Sequence, residues 1–131
     1  MARPPAKHPT ELELEILKIL WNEGERSAQQ VRASLERDAG RPLARTSVVT
    51  TLNIMNDKGW VSRKQSGKAH LFEAAVSQEA VSSNMLSDLV TRVFDGSAEA
   101  VVLKLIESEE IDDEELRSLR RLINRKRKER E

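Results

Sequence analysis

Three blocks of this sequence carry side chains that could hydrogen-bond a polyanion. They are Arg45-Thr46-Ser47-Val48-Val49-Thr50-Thr51-Leu52-Asn53, Lys58-Gly59-Trp60-Val61 and Arg63-Lys64-Gln65-Ser66-Gly67-Lys68-Ala69-His70-Leu71-Phe72-Glu73. Short hydroxyl and amide side chains at a helix start let the helix approach base edges, and its free N–H groups favour phosphate. By position, Thr46, Ser47, Thr50 and Asn53 are expected at or near bases. Arg45, Arg63, Lys64 and Lys68 are expected at phosphates, with Ser27 and Gln30 near the backbone at the start of the preceding helix. Ser and Thr equally serve to cap and solvate a helix. The helix alone therefore leaves both readings open.

Covalent chemistry has little to work with. His8 lies in the polar start and His70 on a return strand, where packing or a nucleic-acid-proximal role suits it better than acid–base work. There is no glycine-rich phosphate loop after a strand, no metal-ligand spacing and no nucleophile with a nearby base. The chain has no cysteine, so disulfides, Cys-based zinc sites and thiol nucleophiles are excluded. The acidic run from Glu107 to Glu115 lacks the alternating spacing of a calcium loop. No enzyme activity, metal or cofactor is expected.

The formal net charge of zero hides a partition. Residues 1–76 carry twelve Lys/Arg against nine Asp/Glu, while residues 77–131 carry ten against thirteen. Between 41 and 70 there are six bases and one acid, Asp57. Phosphate responds to this local field and not to the whole-chain sum. A length of 131 residues allows one ordinary domain or two small ones sharing a core. No apolar run approaches the roughly 18 residues that span a bilayer, and Met1-Ala2-Arg3-Pro4-Pro5 has no apolar signal core. A cytoplasmic protein without membrane insertion is the expectation.

The pattern predicts a mainly α fold in three stretches: a disordered start over 1–9, a winged helix-turn-helix over 10–76, and a helical dimerisation domain over 77–131. Thr10 with Glu13 reads as a capping box opening helix one, with Leu14, Ile16, Leu17, Leu20 and Trp21 as its buried stripe. Ser27 with Gln30 repeats the box for helix two, and Gly40 and Arg41-Pro42 end it. Helix three runs from about Arg45 to Lys58, with Val48, Leu52 and Met55 inward. Trp60–Lys64 and Ala69–Ala74 then flank a glycine turn as a basic two-stranded wing. Three helices and a wing make the variant of the helix-turn-helix plan whose second motif helix enters the DNA major groove.

Three further helices follow, capped by Ser77, Ser97 and Asp112. Their apolar positions exceed what some 55 residues can enclose, and surplus apolar faces meet a partner subunit. Leu89, Val93, Val101, Val102, Leu105, Leu116, Leu119 and Leu122 are the expected dimerisation residues. Acids crowd the start of the last helix and eight bases lie between Arg117 and Arg130, an order that suits the helix dipole.

Five segments together resemble the penicillinase-repressor family, the BlaI/MecI/CopY group of winged-helix transcriptional regulators. They are Glu15–Trp21, Thr46–Asn53, Lys58–Val61, Gly67–Phe72 and Phe94–Ala100, and their order and spacing carry the likeness over nearly all of the chain after Pro9. The resemblance implies a homodimeric repressor on a double-stranded, pseudo-palindromic DNA operator, with interlaced C-terminal helices. It also implies relief by a membrane sensor protease that cuts the helix matching Ala98–Glu107; the pair matching the family's Asn-Phe site is Lys104-Leu105. Many relatives carry arginine where this chain has Ile54 and an aromatic where it has His70, so operator preference stays open. The copper-responsive branch, which needs Cys-x-Cys, is excluded by composition. The alternative of a different class is a winged-helix protein–protein adaptor without sequence-specific DNA binding, which would bind its partner without a steep salt dependence.

Overall fold

The computed structural model describes residues 8–131. Its order is α1 (Glu11–Glu23), β1 (Arg26–Ser27), α2 (Ala28–Ala39), α3 (Arg45–Lys58), β2 (Val61–Ser66), β3 (Ala69–Ala74), α4 (Gln78–Val93), α5 (Ala98–Glu107) and α6 (Asp113–Glu129). The fold is mainly helical, with one small antiparallel sheet in the order β1-β3-β2.

Capping starts the first two helices. The Glu13 N–H donates to Thr10 Oγ1 at 3.2 Å, and the Thr10 N–H donates back to Glu13 Oε1 at 2.8 Å. The Gln30 N–H reaches Ser27 Oγ at 3.2 Å and the Ser27 N–H reaches Gln30 Oε1 at 2.9 Å. Each box satisfies orphan N–H groups of a first turn, worth about 1 kcal/mol per cap. At the far end of α3, Gly59 takes φ 88°, a left-handed setting that lets the chain reverse from helix into β2 within two residues. Gly67, at φ 62°, does the same for the β2–β3 turn.

Strands β2 and β3 pair from Val61 opposite Ala74 to Ser66 opposite Ala69. The two-residue β1 adds Arg26 opposite Phe72 and Ser27 opposite Leu71. A stretch this short has no periodicity to read, which is why sequence patterning shows two strands where there are three.

The core of this part is one cluster: Ile16, Leu17, Ile19, Leu20, Val31, Leu35, Val48, Leu52, Met55, Val61 and Phe72. Each such side chain contributes roughly 1.5–3 kcal/mol by leaving water. Trp21 packs against it and donates its Nε1–H to the Val76 carbonyl at 2.8 Å, fastening the segment that leaves the wing to α1. The expected α1 stripe needs one correction. Leu14 is half-buried and outside the core, whereas Ile19 lies inside it. Leu14 is four residues from Thr10 and three from Leu17, so sequence spacing alone places it on the buried face. The packing of α2 and β3 rotates the stripe toward Ile16 and Ile19, with Leu12 against the core.

Of the stretch expected to be disordered, residues 1–7 lie outside the described residues. Pro9 is buried, and it lines a cavity of about 50 Å³ with His8, Trp60, Val76 and Val81.

Contacts divide the chain into two compact units, one up to Met85 and one from Leu86, so the division falls inside α4. The first unit takes the start of α4, where Val81 is buried. In the second unit, the Ala100 N–H donates to Ser97 Oγ at 3.0 Å and caps α5, and the Glu115 N–H donates to Asp112 Oδ1 at 2.8 Å and caps α6. Neither α5 nor α6 has a single buried residue. Val93, Leu103, Leu122 and Ile123 are between 49 % and 64 % exposed.

Candidate nucleic-acid interface

Burial of Val48, Leu52 and Met55 decides which way α3 faces. With that stripe inward, Arg45, Thr46, Ser47 and Thr50 are exposed, and Asn53 is half-buried. Thr51, one residue further round, turns its hydroxyl back to the Ser47 carbonyl at 2.8 Å. The helix begins differently from α1 and α2: its N-cap is Ala44, which supplies no side-chain oxygen. The first-turn N–H groups of α3 are thus uncapped by any side chain, next to Arg45. An uncapped N-terminus beside a cation is electrostatically suited to an anion.

A groove of about 520 Å³ runs where three elements converge. The start of α2 contributes Ser27, Ala28 and Gln29; α3 contributes Arg45, Val49 and Asn53; the wing contributes Arg63, Lys68, Ala69, His70 and Phe72. No carboxylate lines it, and three permanent cations do. Ser27 lines its α2 end, while Gln30 does not line the groove and is tied to Ser27 by their reciprocal cap. Gln29 is exposed and lines the groove, a residue that sequence reasoning passed over because it sits between the two capping residues.

Alternation along β2 separates two residues that look equivalent in sequence. Successive side chains of a strand point to opposite faces. Arg63 lines the groove and donates its Nη1–H to Asn53 Oδ1 at 2.8 Å. Lys64 points the other way and pairs with Glu25 at 3.1 Å. In the turn, Gln65 Nε2 donates to the Gly67 carbonyl at 3.2 Å, and Lys68 is exposed beside it.

Both ends of α3 are tied down by long-range polar contacts. At its start, Arg32 Nε donates to the Leu43 carbonyl at 2.8 Å, and Arg41 pairs with Glu15 at 2.7 Å. At its end, Lys58 Nζ lies 3.0 Å from Glu13 Oε2. Glu13 is only 3 % exposed. Burial pushes its carboxyl up, but the Thr10 N–H, the Lys58 ammonium and the Thr10 hydroxyl outweigh that and hold it below the usual glutamate range. One carboxylate therefore both caps α1 and anchors the last turn of α3. Local sequence shows only the capping role of Glu13, because a partner 45 residues away leaves no periodic trace.

The residues expected to dimerise all lie in the second unit. Leu89, Val93, Val102, Leu105 and Leu122 are exposed, and Val101, Leu116 and Leu119 are half-buried. Lys104 and Leu105, the pair matched to the family's cleavage site, are both exposed on α5. Among the described residues there is no group of three or more metal-ligating side chains, and no helix is long and apolar enough to cross a membrane.

The family model of the penicillinase repressor matches residues 9–125, nearly the whole chain. Curated relatives include the methicillin resistance regulatory protein MecI of Mammaliicoccus sciuri, 22 % identical over 114 residues, which are 87 % of this chain and 91 % of that protein. The protein of the same name from Staphylococcus aureus strain N315 is 21 % identical over 114 residues, with the same shares covered.

Proposed function

Because the chain belongs to the penicillinase repressor family, a family of DNA-binding transcriptional repressors, we propose that it represses as a homodimer on a pseudo-palindromic operator. Each winged unit lays α3 in a major groove. Thr46, Ser47, Thr50 and Asn53 face the bases, while Arg45 and Lys68 take phosphates from the two ends of the groove. Arg63 stands between phosphate and base edges, and Lys64 reaches phosphate after leaving Glu25. Ser27 and Gln30 keep the α2 terminus at the backbone through their caps. The observation that carries this reading is the carboxylate-free groove, with Arg45, Arg63 and Lys68 converging on the polar face of α3.

The second unit supplies the two-fold. Helices with no buried residue and apolar side chains half exposed do not hold their own shape in water, and a second copy offers the matching surface. Relief of repression by a sensor protease acting at Lys104-Leu105 is consistent with the exposure of both residues in the single chain.

Duplex binding measured across a salt series tests the reading. Thr50→Ala should weaken operator binding more than binding to random DNA, and equal losses on both would remove Thr50 from base reading. Lys68→Ala should weaken both and flatten the salt slope by about one unit. Salt-insensitive association with a protein, without duplex binding, would replace the repressor by an adaptor.

A further inference from the structure

Among the described residues, the side-chain hydrogen bond that joins α3 to the wing runs between two residues facing the groove, Asn53 and Arg63, and its polarity has a chemical consequence. A guanidinium has five N–H donors and no acceptor. The 2.8 Å contact from Arg63 Nη1 therefore fixes which end of the Asn53 amide lies at the wing: it must be the oxygen. The Asn53 amino group is left as the end available to a ligand, beside the remaining N–H groups of Arg63.

We infer that Asn53 and Arg63 act as one donor unit that selects guanine over adenine at a single operator position, with Arg63 as the positioning residue. The inference rests on the repressor reading above and sharpens it. A free asparagine offers one donor and one acceptor, the pattern that pairs with adenine N6 and N7. With its oxygen held by a cation, this asparagine and its partner offer donors side by side. Guanine alone presents two adjacent acceptors, O6 and N7, on its major-groove edge. Adenine would bring its amino N–H groups against the guanidinium. The second lone pair of Oδ1 does not rescue that arrangement, since a donor reaching it meets the same positive charge.

The geometry around the pair supports a shared role. Asn53 is on the groove-facing side of α3, one turn from Val49, and Arg63 is on the groove-facing side of β2. The register places Arg63 opposite Phe72, which is buried, so the stem of Arg63 rises from a fixed part of the sheet. Lys64, on the other face, cannot substitute for it.

Selection of bound duplexes from a randomised library, using the full chain, tests the proposal. Asn53→Ala first identifies the operator position that depends on Asn53. The wild type should select guanine there. Arg63→Met should lower the guanine-to-adenine preference at that position about tenfold. Arg63→Lys, which keeps a cationic donor, should restore most of it. Adenine in the wild-type site, an unchanged preference in Arg63→Met, or no position responding to Asn53→Ala would overturn the inference while leaving a sequence-specific repressor standing. An Arg63→Met protein that loses one unit of salt slope with unaltered base preference would make Arg63 a phosphate contact only. Absence of any sequence preference in the wild type would instead remove the repressor reading itself, and the inference with it.

Discussion

The two units of this chain bury their apolar residues in opposite ways. In the first, eleven hydrophobic side chains from α1, α2, α3 and the wing close on one another. In the second, α5 and α6 bury none of theirs: Val101, Leu116 and Leu119 are half-buried, and the other large apolar side chains are exposed. The first is a finished domain that must hold one helix at a defined angle. On the repressor reading proposed above, the second is a surface that a second copy covers. Stability of the first should thus be a property of the single chain, and stability of the second a property of concentration.

The largest effect should come from the finished core. Leu52→Ala removes a side chain with no exposure from the centre of α3 and should cost about 3 kcal/mol, read as a lower denaturant midpoint at every protein concentration. A loss that vanishes at high concentration would mean that the first unit also depends on a partner. The companion change, Leu105→Asp on α5, should leave that midpoint alone and convert the protein to monomer in sedimentation. It should also abolish the rise in melting temperature with concentration expected of the wild type. A persistent dimer would place the two-fold elsewhere.

Glu13 gives the next effect and a pH signature. Its carboxyl is held below the ordinary value in the folded state, so the folded state binds protons less readily than the unfolded one. The stabilisation is therefore complete above the unfolded value of about 4.3 and is lost as pH falls through that value toward the depressed one. Glu13→Gln should cost about 2 kcal/mol at neutral pH, an amount tempered by the partial exposure of Lys58, and should flatten the acid limb of the stability curve. An unaltered acid limb would show that other carboxylates carry it.

The smallest effect concerns the surface. Glu25→Gln breaks the pair between half-buried Glu25 and exposed Lys64 and should change stability by less than about 0.5 kcal/mol. It should still tighten binding to random duplex DNA about two- to threefold, since one base is released and one acid removed near the phosphate path. Weaker binding would mean that the pair holds Lys64 in place instead of withholding it.

Much of the first unit is written in the local sequence. The α3 stripe of Val48, Leu52 and Met55 follows from 3.6-residue periodicity, and the boundaries of α3 follow from Pro42 before it and Gly59 after it. Both capping boxes are written locally as a hydroxyl three residues before a Glu or Gln. The surplus of apolar residues after Ser77 likewise shows in composition alone. Less legible were the facing of α1, where Leu14 and Ile19 exchange roles, and β1, whose pairing with β3 joins residues about 45 apart. Local rules carry no information about such contacts.

Local sequence sets the inventory: which segments are helices, which face of α3 is apolar, and which basic residues stand near its polar face. Tertiary structure decided their relations. It divided Arg63 from Lys64, giving one to Asn53 and the other to Glu25. It gave Glu13 a second task at the end of α3. The physical reason is the range of the forces involved. Caps and helical stripes are settled within a few residues of chain, whereas the partner of a charge is whichever opposite group packing brings within about 3 Å.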